Sequence, residues 1–152
     1  MNAPTAIKVL VAIDGSAASL NAARHALRLH SLGLKCSFVL ATVQEPTYNF
    51  ELMLAPDTEL LERLTGAVSE RALAPARLLF DAAGIHYESA ISAGDPTAEL
   101  LAIAARLGCE FIIMGARGHG ALRGALLGSV SQSMLHASSL PVTIVGRHTE
   151  HL

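Results

Sequence analysis

Apolar residues follow two alternating patterns along this chain. Short, nearly unbroken apolar runs are typical of strands that are buried on both faces of a parallel sheet. Between these runs, apolar residues recur every three or four positions, which predicts amphipathic helices. The runs predict five strands, at Ile7 to Ile13, Cys36 to Val43, His86 to Ala93, Phe111 to Met114 and Val142 to Gly146.

Four helices are predicted between the strands, at about 16–32, 57–83, 96–107 and 129–136. Ser16 and Asp95 precede two of them as N-cap residues, and Pro96 occupies the first helical position that proline favours. Gly33, Gly84 and Gly108 are placed to end the first three helices. The second helix contains Pro75, which predicts a kink or a split there.

Strands and helices that alternate to the end of the chain predict one α/β domain over residues 1–152. Its fold is a five-stranded parallel sheet with helices on both faces, Rossmann-like. The alternation leaves two strand orders open, 2-1-3-4-5 and 3-2-1-4-5.

Composition narrows the functional classes. Hydrophobic residues make up 51% of the chain and charged residues 16%, against about 25% charged in an average domain, which predicts a tight core and a buried subunit interface. The longest apolar run, Leu100 to Ala105, is far shorter than the ~18 residues of a membrane span, and no leader is apparent. A net charge of -2 argues against nucleic acid as a partner. We therefore expect a cytoplasmic protein with no membrane contact.

The cysteines and histidines carry no recognisable metal motif. Cys36 and Cys109 lie far apart, each beside a predicted strand, and are interpreted as core residues in a reducing compartment. The histidines show no ligand spacing, so no protein-bound metal is predicted.

The candidate chemistry follows the fourth strand, where glycine recurs at Gly115, Gly118, Gly120, Gly124 and Gly128. A strand, a glycine-rich loop and a helix start can direct backbone N–H groups at a phosphate. From Phe111 to Thr149 there is no Asp or Glu, which suits an anion site. Taken alone, the loop is equally compatible with a plain flexible connection. Neither the Walker pattern nor the dinucleotide pattern fits it.

The spacing Gly115, two residues, Gly118, nine residues, Gly128-Ser129 resembles the nucleotide-binding pattern of the universal stress protein family. The resemblance extends to Val9 to Ser16, to Gly94-Asp95-Pro96 and to Leu140-Pro141-Val142, and so covers nearly the whole chain. It implies the strand order 3-2-1-4-5. It also implies an ATP-binding regulator of the stress response that forms a homodimer through the final strand, Val142 to Val145. An unidentified protein would be a further partner.

The strand order places the candidate residues in one crevice. Winding reverses between strands one and four, and ligands bind at the carboxyl ends of strands at such a point. Asp14 and Gly115 end those two strands. The resemblance assigns ATP contacts to Gly115, Gly118, Gly128, Ser129 and Val130, and the adenosine end to Ala12, Ile13, Asp14 and Val43, with Met114 on the floor of the base slot.

Several side chains have two interpretations. The hydroxyls of Ser129 and Ser131 would bond phosphate oxygens, or Ser129 would be an ordinary N-cap. Asp14 would accept from a ribose or hold Mg²⁺ through water, or would bond its own turn. Arg117 and Arg123 would pair with phosphates or be solvated. The loop at 45–56 would cover the site or be a flexible insertion.

The predicted activity is binding with at most slow hydrolysis, because the glycine loop offers no carboxylate, lysine or cysteine for catalysis. Two alternatives stay open, a nucleotide-free structural dimer and a slow ATP hydrolase. The apolar base slot leaves ATP, AMP and a cyclic nucleotide as candidate ligands, with Mg²⁺ carried by the phosphates.

Overall fold

A computed structural model describes residues 6–45, 58–117 and 127–146 of the chain. Strands and helices alternate as predicted, and their bounds differ from the predicted ones by at most one residue. The strands are β1 (Ile7–Ala12), β2 (Cys36–Gln44), β3 (Tyr87–Ala93), β4 (Phe111–Gly115) and β5 (Val142–Val145). The helices are α1 (Ala17–Ser31), α2 (Thr58–Ala82), α3 (Pro96–Leu107) and α4 (Ser129–Ala137).

The five strands form one parallel sheet in the order β3-β2-β1-β4-β5. The order implied by the family resemblance is thus confirmed. Strand β1 is central, because Val9 lies opposite both Phe38 of β2 and Phe111 of β4. The chain winds one way from β1 to β3 and the other way from β4 to β5, so the ends of β1 and β4 meet where the winding reverses.

Each face of the sheet has its own core, since side chains alternate along a strand. On β2, Phe38 and Leu40 face α1 and α2, where they pack with Leu73 and Phe80. Val39 and Ala41 face the opposite side, with the apolar residues of α3 and α4. A sheet covered on both faces explains why its strands appear as continuous apolar runs.

The helix ends follow the predicted signals. Ser16 Oγ accepts from the Ser19 N–H at 3.1 Å, and Asp95 Oδ2 accepts from the Ala98 N–H at 2.9 Å, so both are side-chain N-caps. Helix α3 begins with Pro96, and Gly108, with φ of 72°, forms its left-handed C-cap. These predictions are confirmed.

Helix α2 runs unbroken through Pro75, so the predicted split is wrong. Proline removes one backbone hydrogen bond, at a cost of roughly 3 kcal/mol in a helix interior. Leu73, Ala76 and Phe80, all fully buried, anchor the helix to the sheet on both sides of the proline. This packing keeps α2 continuous.

Over the three described ranges, no helix has the length and apolarity that crossing a membrane requires.

Candidate functional site

A cavity of about 480 Å³ opens at the carboxyl ends of β1, β2 and β4. Its volume lies in the range of small-molecule sites, about 300–1,000 Å³. The structure brings together in its wall all the predicted site residues that it describes: Ala12, Ile13, Asp14, Val43, Met114, Gly115, Arg117, Gly128, Ser129, Val130 and Ser131. Gly118, and with it Arg123, lies outside the described residues. The contacts of these residues with a ligand stay predictions.

Asp14 is exposed and begins the turn between β1 and α1. Its Oδ1 accepts from the Ser16 N–H at 2.9 Å, and its own N–H donates to Ser19 Oγ at 3.3 Å. The turn interpretation of Asp14 therefore holds for one carboxylate oxygen. The carboxylate keeps a second oxygen, so the turn fixes the side chain at the cavity wall while leaving an acceptor for a ligand.

Gly115 owes its identity to helix packing. A Cβ at this position would lie 2.7 Å from the Ala18 carbonyl carbon and 2.8 Å from its oxygen, closer than real contacts allow. The glycine therefore lets the end of β4 lie directly against the first turn of α1. The family pattern assigns Gly115 to ATP, and the structure adds this independent reason for a glycine.

The peptide group of Ala116 connects three parts of the fold. Its N–H donates to the Val145 carbonyl of β5 at 2.9 Å. Its carbonyl accepts from the Gly128 N–H at 2.6 Å and from Ser131 Oγ at 2.8 Å. The sequence predicts that the Gly128 amide donates to phosphate along with the preceding loop, and that the Ser131 hydroxyl bonds phosphate directly. In this structure both groups donate within the protein.

Helix α4 begins without a side-chain cap, because its N-cap residue is Gly128. Ser129 is the first helical residue, so its interpretation as the N-cap is wrong. The first intrahelical bond is donated by the Gln132 N–H to the Gly128 carbonyl. Residues 129–131, whose N–H groups precede that bond, line the cavity. With no acidic residue in this first turn, the helix presents a partial positive charge to the cavity.

The cavity wall contains both charged and apolar residues. Asp14 and Glu45 lie at the ends of β1 and β2, and Arg117 follows β4 near the start of α4. The apolar residues Ile13, Val43 and Met114 line the wall as well. The wall can therefore take a ligand with an apolar ring, hydroxyl groups for the carboxylates and an anion for α4 and Arg117.

Sequence reasoning missed several lining residues: Ser16, Ser19, Ala41, Gln44, Glu45, Pro96 and Leu100. A signal existed for the end of β2, because the predicted strand order places it beside the end of β1. No sequence signal indicated the α3 residues Pro96 and Leu100, because only tertiary packing brings the start of a helix to the cavity.

Known proteins resemble this chain over nearly its whole length. The pattern of the Universal stress protein family matches residues 7–146. Universal stress protein YxiE of Bacillus subtilis is 29% identical over 147 residues, which cover 91% of this chain and 97% of that protein. The solved structure of hypothetical protein MJ0577 has a TM-score of 0.75 at 28% identity and covers 94% of this chain and 97% of its own. This chain belongs to the universal stress protein family.

A third similar structure is a universal stress protein family protein from Arabidopsis thaliana with AMP bound. Its TM-score is 0.68 at 21% identity, covering 95% of this chain and 94% of its own. At that identity the likeness shows the shared fold.

Proposed function

We propose that this protein binds an adenine nucleotide, ATP in the first instance, in the cavity at the ends of β1 and β4. The observation that carries the proposal is the start of α4, which has no side-chain cap and whose first three residues line a partly apolar cavity. Free helix donors and a positive helix end are what a phosphate group requires. A nucleotide joins such a group to a flat apolar ring, and the wall offers surfaces for both.

The residues divide naturally among the parts of a nucleotide. Ser129, Val130 and Arg117 would hold the phosphates, while Val43, Ile13 and Met114 would face the base. The free oxygen of Asp14 would accept from a ribose hydroxyl or hold Mg²⁺ through water. Bound Mg²⁺ would neutralise phosphate charge. AMP bound to the Arabidopsis protein of the same fold supports an adenine nucleotide, and AMP or a cyclic nucleotide is the alternative ligand.

The proposed role is regulation of the stress response in the cytoplasm through a protein partner, rather than catalysis. General acid–base catalysis needs a positioned group beside the reacting atom. The described wall contains no histidine, lysine or cysteine, and its carboxylates lie at the β1 and β2 ends rather than beside α4. Hydrolysis would therefore be slow at most. Single-turnover phosphate release at the rate of ATP in buffer would exclude the hydrolase alternative.

Calorimetry with ATP and Mg²⁺ tests binding, with Ser129→Asp as the diagnostic variant. A carboxylate in the first turn of α4 interacts favourably with the helix dipole, which stabilises the helix by about 0.3–1 kcal/mol. The same carboxylate repels a phosphate. We expect Ser129→Asp to fold with unchanged or higher stability and to lose ATP affinity by tenfold or more. Ser139→Asp is the matched control, since Ser139 is exposed beyond the far end of α4. Absence of heat with the wild type would favour the nucleotide-free alternative.

Asp14→Asn tests the contact of Asp14 with the ribose or Mg²⁺, because the two interpretations of Asp14 predict different effects on MgATP affinity. The amide oxygen of asparagine can still accept from the Ser16 N–H, so the turn is kept while the charge is lost. If Asp14 holds the ribose or hydrated Mg²⁺, affinity for MgATP falls, by roughly tenfold for a charged hydrogen bond. If the carboxylate serves the turn alone, removing a negative charge leaves the affinity unchanged or raises it.

We further propose that the protein is a homodimer through β5. This strand is at the sheet edge and its four residues, three of them apolar, are half-buried. The carbonyls of Pro141 and Val145 accept from β4 and the residue that follows it, so the alternate residues Val142 and Ile144 direct their backbone groups outward. An unpaired apolar edge favours pairing with another strand, here with β5 of a second copy about a two-fold axis.

A further inference from the structure

Ser131 lies in the first turn of α4 and is 2% exposed. Its Oγ is 2.8 Å from the Ala116 carbonyl oxygen and 3.0 Å from the Gly128 carbonyl oxygen. A hydroxyl has one proton to donate. Both carbonyls already accept one backbone N–H, that of Ala116 from Gly128 and that of Gly128 from Gln132, so only the two distances distinguish them. The shorter contact, to Ala116, therefore fixes the hydroxyl.

Ala116 and Gly128 flank the segment 117–127, and a pair of donors joins these two residues. The Gly128 N–H and the Ser131 hydroxyl both point at the Ala116 carbonyl oxygen. This arrangement sets where the chain returns from β4 into α4. It therefore fixes the start of α4 relative to the end of β4, which are two walls of the cavity.

The Ala116 carbonyl also has an electrostatic consequence for an anion. Ala116 lies between the lining residues Gly115 and Arg117. A carbonyl oxygen free to turn toward the cavity would place a negative partial charge beside a phosphate. Two donors on that oxygen hold it turned toward α4 and reduce that repulsion.

We propose that Ser131 is a positioning residue for the nucleotide phosphates and not a phosphate ligand. Its hydroxyl, with the Gly128 N–H, holds the Ala116 carbonyl against the start of α4, which aligns the N–H groups of Ser129 and Val130 toward the anion. This inference rests on the proposed nucleotide binding. It replaces the direct phosphate contact predicted for Ser131 from the sequence.

The test compares ATP and adenosine affinities in Ser131→Ala, Ser131→Thr and Ser133→Ala. We expect Ser131→Ala to lose about tenfold in ATP affinity, the scale of one hydrogen bond to a charged or buried group, with adenosine affinity unchanged. Ser131→Thr keeps the hydroxyl and should restore ATP binding. Ser133 is an exposed serine of the same helix, and Ser133→Ala should bind as the wild type does. If Ser131→Ala fails to fold, Ser131→Cys replaces it.

Amide hydrogen exchange in the ligand-free protein separates positioning from direct contact. A positioning role predicts faster exchange of the Gly128 amide in Ser131→Ala, while Ser129→Ala leaves that rate unchanged. Weaker ATP binding with an unchanged Gly128 rate would mean that Ser131 contacts the phosphate, and would overturn the inference. Unchanged ATP binding in Ser131→Ala would overturn it too, with the proposed function intact. A wild type that binds no ATP would remove both.

Discussion

Gly115 and Ala18 lie so close that a side chain on Gly115 would overlap the backbone of Ala18, with a Cβ to carbonyl carbon distance of 2.7 Å. The contact joins the end of β4 to the first turn of α1 and so brings two walls of the cavity together. The glycine is needed here for space.

Gly115→Ala should therefore destabilise the protein, by about 1–3 kcal/mol as for overpacked cores, because backbone atoms of Ala18 must move. Gly66→Ala is the matched control. Gly66 lies inside α2 with open space where the methyl group of an alanine would stand, so alanine should raise the free energy of unfolding by about 0.5–1 kcal/mol. Urea denaturation measures both, and equal effects of the two substitutions would contradict the packing role of Gly115.

Thr42 of β2 is fully buried, and its Oγ1 has no hydrogen-bond partner in the part of the chain that the structure describes. Thr42→Val replaces this hydroxyl with a methyl group of similar size. We expect it to raise the free energy of unfolding by about 1 kcal/mol, because an unsatisfied buried polar group is costly. Thr42→Ser keeps the hydroxyl but loses a packed methyl, and should lower stability by about 1 kcal/mol. A stability loss in Thr42→Val would show that the hydroxyl is satisfied.

Cys109 is buried, and burial raises the pKa of its thiol, against a smaller lowering effect of Lys8. Burial likewise raises the pKa of Cys36, which is half-buried. The thiolate is the reactive form, so both thiols should react with a disulfide reagent more slowly in the native protein than in urea, Cys109 slowest.

The same shift predicts a pH effect on stability. The folded state holds the Cys109 proton more tightly, so this contribution is fully present below the unfolded pKa of about 8.5. It is lost as the pH rises through the folded pKa. From about pH 8 to about pH 10, stability should therefore fall more in the wild type than in Cys109→Ala. Equal slopes would mean that the Cys109 thiol ionises alike in both states.

Ile144→Pro tests the proposed dimer. The substitution removes a backbone donor that faces away from β4, where proline is tolerated on an edge strand. We expect the wild type to sediment as a dimer at micromolar concentration and the variant as a species of 15.9 kDa. Thr143→Pro is the contrasting control. The backbone of Thr143 faces β4, so the loss of its N–H should weaken the sheet itself. A wild type that sediments as a monomer would refute the dimer.

The apolar pattern was sufficient for the elements and the α/β class, because β1, β2 and β4 are buried on both faces and therefore appear as unbroken apolar runs. The strand order came from the family resemblance. That order also placed Asp14 and Gly115 together, since it puts their strands side by side. Tertiary packing decided the features that the sequence could not predict. The packing of α2 on the sheet keeps that helix continuous through Pro75, and the close approach of α1 requires a glycine at position 115.

The site residues differ in the same way. Apolar lining residues such as Val43 follow from the strand to which they belong. The partner of a hydroxyl does not follow from sequence, because Ser131 meets the Ala116 carbonyl only after β4 and α4 have packed. The glycine spacing therefore predicted residues that line one cavity, but not the bonds that Gly128 and Ser131 make within the protein.

The bare start of α4 has a consequence for the lifetime of the protein. Helices α1 and α3 have side-chain N-caps, whereas the N–H groups at the start of α4 would be bound by the phosphate of the proposed ligand. A ligand that binds only the folded chain adds about 2.7 kcal/mol at a concentration of 100 times its Kd. Changes of this size alter the fraction of molecules exposed to proteases. The concentration of adenine nucleotide in the cell would thus set the lifetime of the protein.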